Sequence, residues 1–280
     1  MYELIGGVGQ PIAENPTGLM MEAAFQELNL QWRYQLIEAN LETMPAVIEG
    51  MKSLNFAGAN FTVPTKVDVI KHLDGLTKAA ELIGAVNTVY LDDGGRWIGD
   101  NTDGQGFMRA LERANFAVSG KSALILGAGG AARAIATELI LAGVGDLAIV
   151  NRSRERGQQL CTDLVKAGPC NVRFEHWAHD VRVPGDVDVL INATSIGLGS
   201  SQEMPAIIKE SIHSSMLVCD VIPNPPDTLL LKTARAQGAA TMNGLDMIVF
   251  QAAAAIKLWS GLDAPIATMR TALEKGLGLR

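Results

Sequence analysis

The chain has 280 residues, about twice the usual length of a single domain, so two domains are expected. Hydrophobic residues make up 48% and charged residues 19% of it, which is typical of a globular chain with enough apolar material for a core. With 23 basic and 30 acidic residues the formal net charge is −7, which argues against nucleic acid as the main partner. Glycine is in excess at 29 residues, about 10% against a usual ~7%, and indicates close backbone approaches.

The three cysteines are widely spaced and odd in number, so they fit neither a disulfide framework nor a zinc site. We expect reduced thiols in a cytoplasmic protein. The first ten residues lack the basic and apolar regions of a secretory signal. The longest apolar stretch, residues 123–144, contains the glycine cluster Gly127, Gly129 and Gly130 together with Arg133 and Glu138, so no membrane span is predicted.

Short apolar runs alternate with helical patterns along the chain, which is typical of an α/β protein. In chain order the first part predicts strands over residues 2–7, 33–37, 56–63, 87–91 and 97–99, and helices over 19–28, 44–54 and about 104–114. The remainder predicts strands over 122–126, 146–150, 188–191 and 216–221, and helices over 131–142, 251–259 and 266–277.

A glycine turn at residues 124–132, LILGAGGAA, joins a buried strand to a helix of small residues. Gly127 permits a tight turn, Gly129 lets the backbone approach a pyrophosphate, and Ala132 lets the helix pack closely on the sheet. The first turn of the helix offers unpaired N–H groups to the anion. The pattern predicts a Rossmann-type dinucleotide site, and a chance glycine turn is the alternative.

The end of the next strand indicates which nucleotide binds. An NAD site would place an acidic residue there, about 20 residues after the turn. This chain has Asn151, Arg152 and Ser153 instead, followed by Arg154 and Arg156. Because guanidinium groups pair with phosphate oxygens, these residues favour NADP, with NAD less favoured. A solvated, basic start of a helix is the alternative.

Several dehydrogenase mechanisms do not fit. None of the three tyrosines precedes a lysine by four residues, and the cysteines needed for a zinc alcohol dehydrogenase are missing. His176 and His179 have no further ligands nearby in sequence and are interpreted as a surface pair, so no metal site is predicted.

Polar residues stand out in three segments of the first domain, residues 60–66 (NFTVPTK), 84–88 (GAVNT) and 99–104 (GDNTDG). Together with the glycine turn and residues 151–153, 192–197 and 251–253, they resemble the shikimate dehydrogenase family. The resemblance runs in order over nearly the whole chain.

The resemblance implies a catalytic pair, Lys66 and Asp103, and substrate contacts at Thr62, Asn87 and Gln251, with Asn15 and Thr17 at the substrate carboxylate. It implies cofactor contacts at Gly127, Ala128, Gly129, Gly130, Ala131, Asn151, Arg152, Ser153, Arg156, Thr194, Ser195, Val221 and Gly244. Residues 1–103, completed by helices in 245–280, would form the substrate-binding domain, and residues 104–244 the Rossmann NADP domain. The implied reaction is reversible, NADP-linked oxidation of shikimate to 3-dehydroshikimate, in aromatic amino-acid (chorismate) biosynthesis.

Two departures from the family fall at the carboxylate end of the site. Where the family carries His-Ser-x-Ser-Pro, this chain has Glu14-Asn15-Pro16-Thr17-Gly18, and Pro223 stands where tyrosine is usual. Glu14 would repel an anionic substrate. Quinate or another shikimate-like hydroxy acid therefore remains an alternative substrate, and a non-catalytic NADP sensor a second alternative, although the Lys66–Asp103 pair argues against a sensor. The sequence leaves open whether the protein is a monomer or a homodimer.

Overall fold

The computed structural model describes residues 2–13, 15–200 and 202–279. The chain divides into two compact units. Residues up to Gly106 and from Ile248 onward form the first, which we call the two-segment unit, and Phe107–Met247 form the second, the central unit. Both units are α/β, which confirms the predicted fold class.

The two-segment unit is built on a six-stranded mixed sheet. Its strands are β1 (Glu3–Gly9), β2 (Trp32–Glu38), β3 (Gly58–Phe61), β4 (Gly75–Leu76), β5 (Thr88–Leu91) and β6 (Trp97–Asp100). They lie in the order β2-β1-β3-β5-β6-β4, with β1 parallel to β2 and β3, and β5 antiparallel to β3 and β6. The connecting helices are α1 (Thr17–Glu27), α2 (Met44–Ser53) and α3 (Lys78–Ile83), and α4 (Asp103–Arg113) begins in this unit and continues into the next.

The central unit contains a fully parallel sheet with strands β7 (Ser122–Leu126), β8 (Asp146–Asn151), β9 (Asn171–His176), β10 (Val189–Asn192), β11 (Leu217–Asp220) and β12 (Ala240–Met242). Its helices are α5 (Gly130–Leu141), α6 (Arg154–Leu164) and α7 (Leu229–Ala236). The strand order β12-β11-β10-β7-β8-β9 is that of dinucleotide-binding Rossmann domains. Strands β7 and β10 are buried along their whole length, as expected for the middle of a parallel sheet.

Helices α8 (Leu245–Ser260) and α9 (Ile266–Gly276) bring the last part of the chain back to the two-segment unit. In α8, the indole Nε1 of Trp259 donates a hydrogen bond to the carbonyl oxygen of Val89 at 2.9 Å. Gly58 makes room for this contact, because a Cβ there would lie 2.4 Å from the indole nitrogen and 2.6 Å from the Val89 oxygen. A glycine in β3 thus lets the returning helix dock.

The predicted strands and helices correspond to observed ones, with shifted ends. The strand predicted over 56–63 is shorter, because both the backbone N–H and the hydroxyl of Thr65 bond the carbonyl of Thr62 and turn the chain. The sequence did not predict α3, α6, α7, β4, β9 and β12. These elements are short or rich in polar residues, so their hydrophobic period is weak.

In the part of the chain that the structure describes, no helix combines the length and the hydropathy needed to cross a membrane. All three cysteines are free, and Cys219 is buried at the centre of β11. Burial raises the pKa of the Cys161 thiol to about 11 and raises the pKa of Cys219 further, so both favour the unreactive thiol.

We expect Gly58→Ala to destabilise the protein by about 1–3 kcal/mol, because the added methyl group overlaps Trp259 and a backbone oxygen. Gly50→Ala is the matched control. A Cβ at Gly50 meets nothing within 4 Å, and alanine in a helix interior stabilises by about 0.5–1 kcal/mol. Thermal unfolding of both variants measures the difference, and equal shifts in Tm would contradict the packing argument.

Candidate functional site

Lys66 and Asp103 form a close ion pair in the two-segment unit. The Nζ of Lys66 donates to Oδ2 of Asp103 at 2.5 Å, and the two side chains are only 17% and 8% exposed. Hydrogen bonds between charged groups are about twice as strong as neutral ones and gain further where water is scarce. The pair therefore holds a proton donor and an anion at fixed positions.

Asp103 is positioned by the turn from β6 into α4. The side chain of Asn101 donates to the carbonyl of Ala85 at 2.9 Å and accepts from the backbone N–H of Asp103 at 3.1 Å. Asn101 is fully buried, so both bonds are shielded from water. Asp103 is the first residue of α4, where the helix dipole favours a carboxylate.

Lys66 is positioned by the loop that follows β3. Thr65, which is fully buried, ties this loop to Thr62, and the carbonyl of Lys66 accepts from the N–H of Val86 at 2.8 Å. The backbone at Lys66 is thus bonded directly to the segment that carries Asn87.

Asn87 joins the pair through its side-chain amide and is only 2% exposed. Its Nδ2 donates to Oδ1 of Asp103 at 2.9 Å and to Oε1 of Gln251 at 3.1 Å. Its Oδ1 accepts from the backbone N–H of Thr102 at 2.7 Å. Because a carboxylate only accepts and a backbone N–H only donates, the amide has one possible orientation.

Gln251 reaches this position from α8, on the C-terminal stretch of the two-segment unit. The structure thus brings together four of the residues predicted for catalysis and substrate binding. We call Lys66, Asn87, Asp103 and Gln251 the Lys66 cluster.

Three further predicted residues lie outside these bonds. The side chain of Asn15 accepts from the N–H of Thr17 at 3.0 Å, in a turn that begins α1, and Thr62 contributes its carbonyl to the Lys66 loop. Among the residues the structure describes, no hydrogen bond joins Asn15, Thr17 or the Thr62 side chain to the Lys66 cluster. Glu14, whose charge was predicted to affect the substrate, lies outside the described residues.

The glycine turn of the central unit lies between β7 and α5. Gly127 has a φ of +113°, and a Cβ there would lie 2.9 Å from the carbonyl oxygen of Ala193. At Gly129 the situation is reversed, since a Cβ would meet nothing within 4 Å. Gly129 precedes α5 directly, so an open space adjoins the free N–H groups of the helix. A pyrophosphate fits these features, with Ala128 in the turn and Gly130 and Ala131 at the start of α5.

The end of β8 presents basic side chains. Asn151 donates through Nδ2 to the carbonyl of Ser153 at 2.9 Å, and Ser153 caps α6 by accepting from the N–H of Arg156 at 3.3 Å. Arg152 and Arg156 are both exposed. By contrast, Arg133 is held against Asp163 by two hydrogen bonds of 3.0 Å. The exposed arginines, and not Arg133, are therefore free to meet a ligand phosphate.

The segments after β10 and β11 are bonded to each other. The side chain of Asn192 donates to Asp220 at 3.1 Å and accepts from the hydroxyl of Thr194 at 2.7 Å, which shapes the turn that includes Ser195. The N–H of Val221 donates to the carbonyl of Asn192 at 3.1 Å. Gly244 packs so closely on Val221 that a Cβ would come within 2.4 Å of its oxygen.

Asp220 anchors these segments from a buried position. Burial raises the pKa of its carboxyl group to about 6, although hydrogen bonds from Thr228, Ile222 and Asn192 act in the opposite direction. Pro223 follows three residues later, in the connection to α7.

The predicted cofactor residues thus follow the carboxyl ends of β7, β8, β10 and β11, together with Gly244 after β12. In an open parallel sheet the ligand binds at this edge. No group of three or more potential metal-ligating side chains occurs among the described residues.

No role was predicted for Tyr34, Asn60, Thr88 or Thr102, which the structure links to the Lys66 cluster. Asn60, Thr88 and Thr102 belong to the polar segments quoted above, so their buried polar side chains were a usable signal. Tyr34 had no such signal, because its contact with Asn60 crosses 26 residues of sequence.

Comparison with known protein families identifies three matching regions. Residues 8–89 match the shikimate dehydrogenase substrate binding domain, residues 110–228 match shikimate / quinate 5-dehydrogenase, and residues 244–274 match the shikimate 5'-dehydrogenase C-terminal domain.

Individual proteins agree with these matches. A shikimate dehydrogenase (NADP(+)) from Desulforamulus reducens is 38% identical over 98% of this chain and 95% of its own. A crystal structure of shikimate dehydrogenase in complex with NADP+ superposes with a TM-score of 0.92 at 37% identity, covering 99% of this chain and 96% of its own. The ligand-free crystal structure of 5-ketofructose reductase from Gluconobacter sp. strain CHM43 gives a TM-score of 0.90 at 38% identity, covering 98% and 99%. The chain belongs to the shikimate dehydrogenase family.

Proposed function

We propose that this protein is an NADP-dependent oxidoreductase that interconverts a ring hydroxyl group and a ketone, with shikimate and 3-dehydroshikimate as the first candidate pair. The observation that carries the proposal is the largely buried Lys66–Asp103 pair. Its Nζ and Oδ2 atoms are 2.5 Å apart, and Asp103 also accepts a hydrogen bond from Asn87. The curated relative at 38% identity, which acts on shikimate with NADP(+), supports the choice of substrate and cofactor.

The geometry of the pair suits proton transfer. In the direction of reduction, the Lys66 ammonium group donates a proton to the ketone oxygen, and oxidation returns that proton to the amine. Asp103 holds the ammonium group in place and stabilises its charge. Asn87 bonds the other carboxylate oxygen of Asp103 and also bonds Gln251, so both predicted substrate contacts lie beside the pair.

The central unit would hold NADP, which supplies or accepts the hydride when bound. The open space at Gly129 and the start of α5 suit the pyrophosphate, and the exposed Arg152 and Arg156 suit the 2′-phosphate. Thr194, Ser195, Val221 and Gly244 would line the nicotinamide end.

We expect Lys66→Ala to lower kcat by about 10²–10⁴-fold while the Kd for NADP is unchanged, since the lost group transfers a proton. Lys71→Ala is the matched control, because Lys71 is exposed and forms a surface ion pair with its helical neighbour Asp68. Steady-state kinetics and a cofactor titration give both values. A variant that retains more than half of the wild-type kcat would exclude Lys66 as the proton donor.

Arg152→Ala should weaken NADP binding by about ten- to hundredfold and leave NAD binding within about twofold, because only NADP carries the 2′-phosphate. Arg182→Ala, an exposed arginine elsewhere in the central unit, serves as the control. Fluorescence titration with both nucleotides measures the ratio, and an equal loss for NADP and NAD would refute the assignment.

A second candidate function is the reduction of a neutral polyhydroxy ketone. The solved structure of 5-ketofructose reductase is 38% identical to this chain, and its named substrate carries no carboxylate. At Asn15, Thr17 and Pro223 this chain lacks the serine and tyrosine side chains that the family carries at the carboxylate end of the site. The side-chain oxygen of Asn15 already accepts a hydrogen bond from the N–H of Thr17, at the start of α1. The same Lys66 cluster serves either substrate, because proton transfer requires only the reacting carbonyl group.

A substrate panel with NADP(H) separates the two candidates. Each lost hydrogen bond to a charged group costs about 1.5–3 kcal/mol, so we expect a shikimate KM at least tenfold above the low micromolar range. The double variant Asn15→Ser, Pro223→Tyr should have a lower KM for shikimate than the wild type. Its rate of 5-ketofructose reduction should not exceed that of the wild type. Efficient reduction of 5-ketofructose together with weak shikimate oxidation would favour the second candidate, whereas a low micromolar shikimate KM in the wild type would remove it.

A further inference from the structure

A line of hydrogen bonds leads from the Lys66 cluster across the sheet of the two-segment unit. The hydroxyl of Tyr34 donates to Oδ1 of Asn60 at 3.0 Å, and Nδ2 of Asn60 donates to the hydroxyl oxygen of Thr88 at 3.0 Å. The Thr88 hydroxyl in turn donates to Oδ1 of Asn87 at 3.2 Å. Asn87 is the residue that bonds Asp103.

The chemistry of the groups fixes the direction of this line. The Nδ2 of Asn60 also lies 3.2 Å from the backbone carbonyl of Asn87, which only accepts, so the nitrogen of that amide must point there. Its oxygen is therefore left facing Tyr34, which must donate. The Thr88 hydroxyl accepts from Asn60 and lies 3.2 Å from two further oxygens, Oδ1 of Asn87 and the hydroxyl of Thr102, which is itself bonded to Asn87.

The line depends on a glycine in the strand between Tyr34 and Asn60. Tyr34 lies on β2 and Asn60 on β3, with β1 between them, and Gly7 of β1 is paired with Asn60. A Cβ on Gly7 would lie 2.7 Å from the Tyr34 ring. The ring passes over the bare backbone of Gly7, so its hydroxyl reaches two strands across.

The line is buried at its Asn87 end and partly buried at its Tyr34 end. Thr88 is fully buried, and loss of solvent raises the pKa of the Tyr34 hydroxyl, which favours its protonated, donating form. In such surroundings a polar group that loses its partner is costly, so the network is held in one arrangement.

We propose that Tyr34 and Asn60 are positioning residues for the reaction, which fix the Asn87 amide and through it the Asp103 carboxylate that holds Lys66. This inference rests on the proposed function, since it assigns a role toward the proposed catalytic pair. Neither Tyr34 nor Asn60 bonds the Lys66 or Asp103 side chain within the described part of the network.

The test begins with Tyr34→Phe, which removes only the donor hydroxyl. We expect kcat to fall about tenfold with the KM for NADP unchanged. Tyr90→Phe, the same change at a partly exposed tyrosine on β5, is the matched control and should keep kcat within twofold of the wild type.

A double-mutant cycle with Asn87→Ala separates positioning from general destabilisation. If Tyr34 acts through Asn87, Tyr34→Phe costs less than threefold in kcat in the Asn87→Ala background. Fully multiplicative losses, or a Tyr34→Phe single variant with kcat within twofold of the wild type, overturn the proposal.

A second variant covers the case in which Tyr34→Phe folds poorly. Asn60→Asp keeps an oxygen that accepts from Tyr34 but replaces the amide nitrogen that donates to Thr88 with a second acceptor oxygen. The Thr88 hydroxyl then donates to this oxygen and no longer to Asn87. We expect kcat to fall at least tenfold here too, and a kcat within twofold of the wild type contradicts the proposal.

The side-chain amide resonances of Asn87, observed after ¹⁵N labelling of asparagine, provide a readout that needs no turnover. They should shift in Tyr34→Phe and not in Tyr90→Phe, and unshifted resonances in Tyr34→Phe overturn the proposal. If the wild type turns over no substrate of the panel, the proposed function fails, and these resonances still decide whether Tyr34 positions Asn87.

Discussion

The Asn87 side chain is almost fully buried, and its two ends need opposite partners. A carboxylate and a glutamine oxygen meet the nitrogen, while a backbone N–H and a threonine hydroxyl meet the oxygen. A buried amide that fails to meet these partners costs about 1–3 kcal/mol for each unsatisfied group, so neighbouring segments are fixed by this requirement. The turn at Thr102, the start of α4 and the position of α8 all follow from it. The Lys66–Asp103 pair is well defined because its neighbour tolerates one orientation only.

Much of this arrangement was accessible from the sequence. The glycine turn at 127–130, between a strand and a helix, predicted a Rossmann-type domain, and the structure has the parallel sheet of such a domain there. The polar segments around Asn60, Asn87 and Asp103 stood out because polar residues among apolar neighbours need partners. The family resemblance then supplied roles that spacing alone does not give.

Other features were not accessible, for physical reasons. The contacts from Tyr34 to Asn60 and from Asn87 to Gln251 depend on strand order and on a helix that returns from the far end of the chain. Strand order is a property of the whole sheet, and no local period encodes it. Short elements such as α3 were missed because six residues carry too little hydrophobic pattern, although Gly84, at a φ of 68°, marks where α3 ends.

The predicted cofactor site and the predicted substrate site depend on the sequence in different ways. The predicted cofactor residues lie in turns whose backbone shape is set by glycines and by bonds among Asn192, Thr194 and Asp220. A substrate contact is made by a side chain alone, so it changes with one substitution while the fold stays the same. The predicted substrate contacts Asn15 and Thr17 are positions of this second kind.

The docking of Trp259 into the space above Gly58 has a consequence for biosynthesis of the protein. The central unit is one continuous stretch, Phe107–Met247, and all its strands leave the ribosome before α8 does. The sheet of the two-segment unit is synthesised first, but its contacts with Trp259 and Gln251 cannot form until α8 has left the ribosome. The hydrogen bonds from Trp259 to Val89 and from Asn87 to Gln251 are therefore among the last that the growing chain can form.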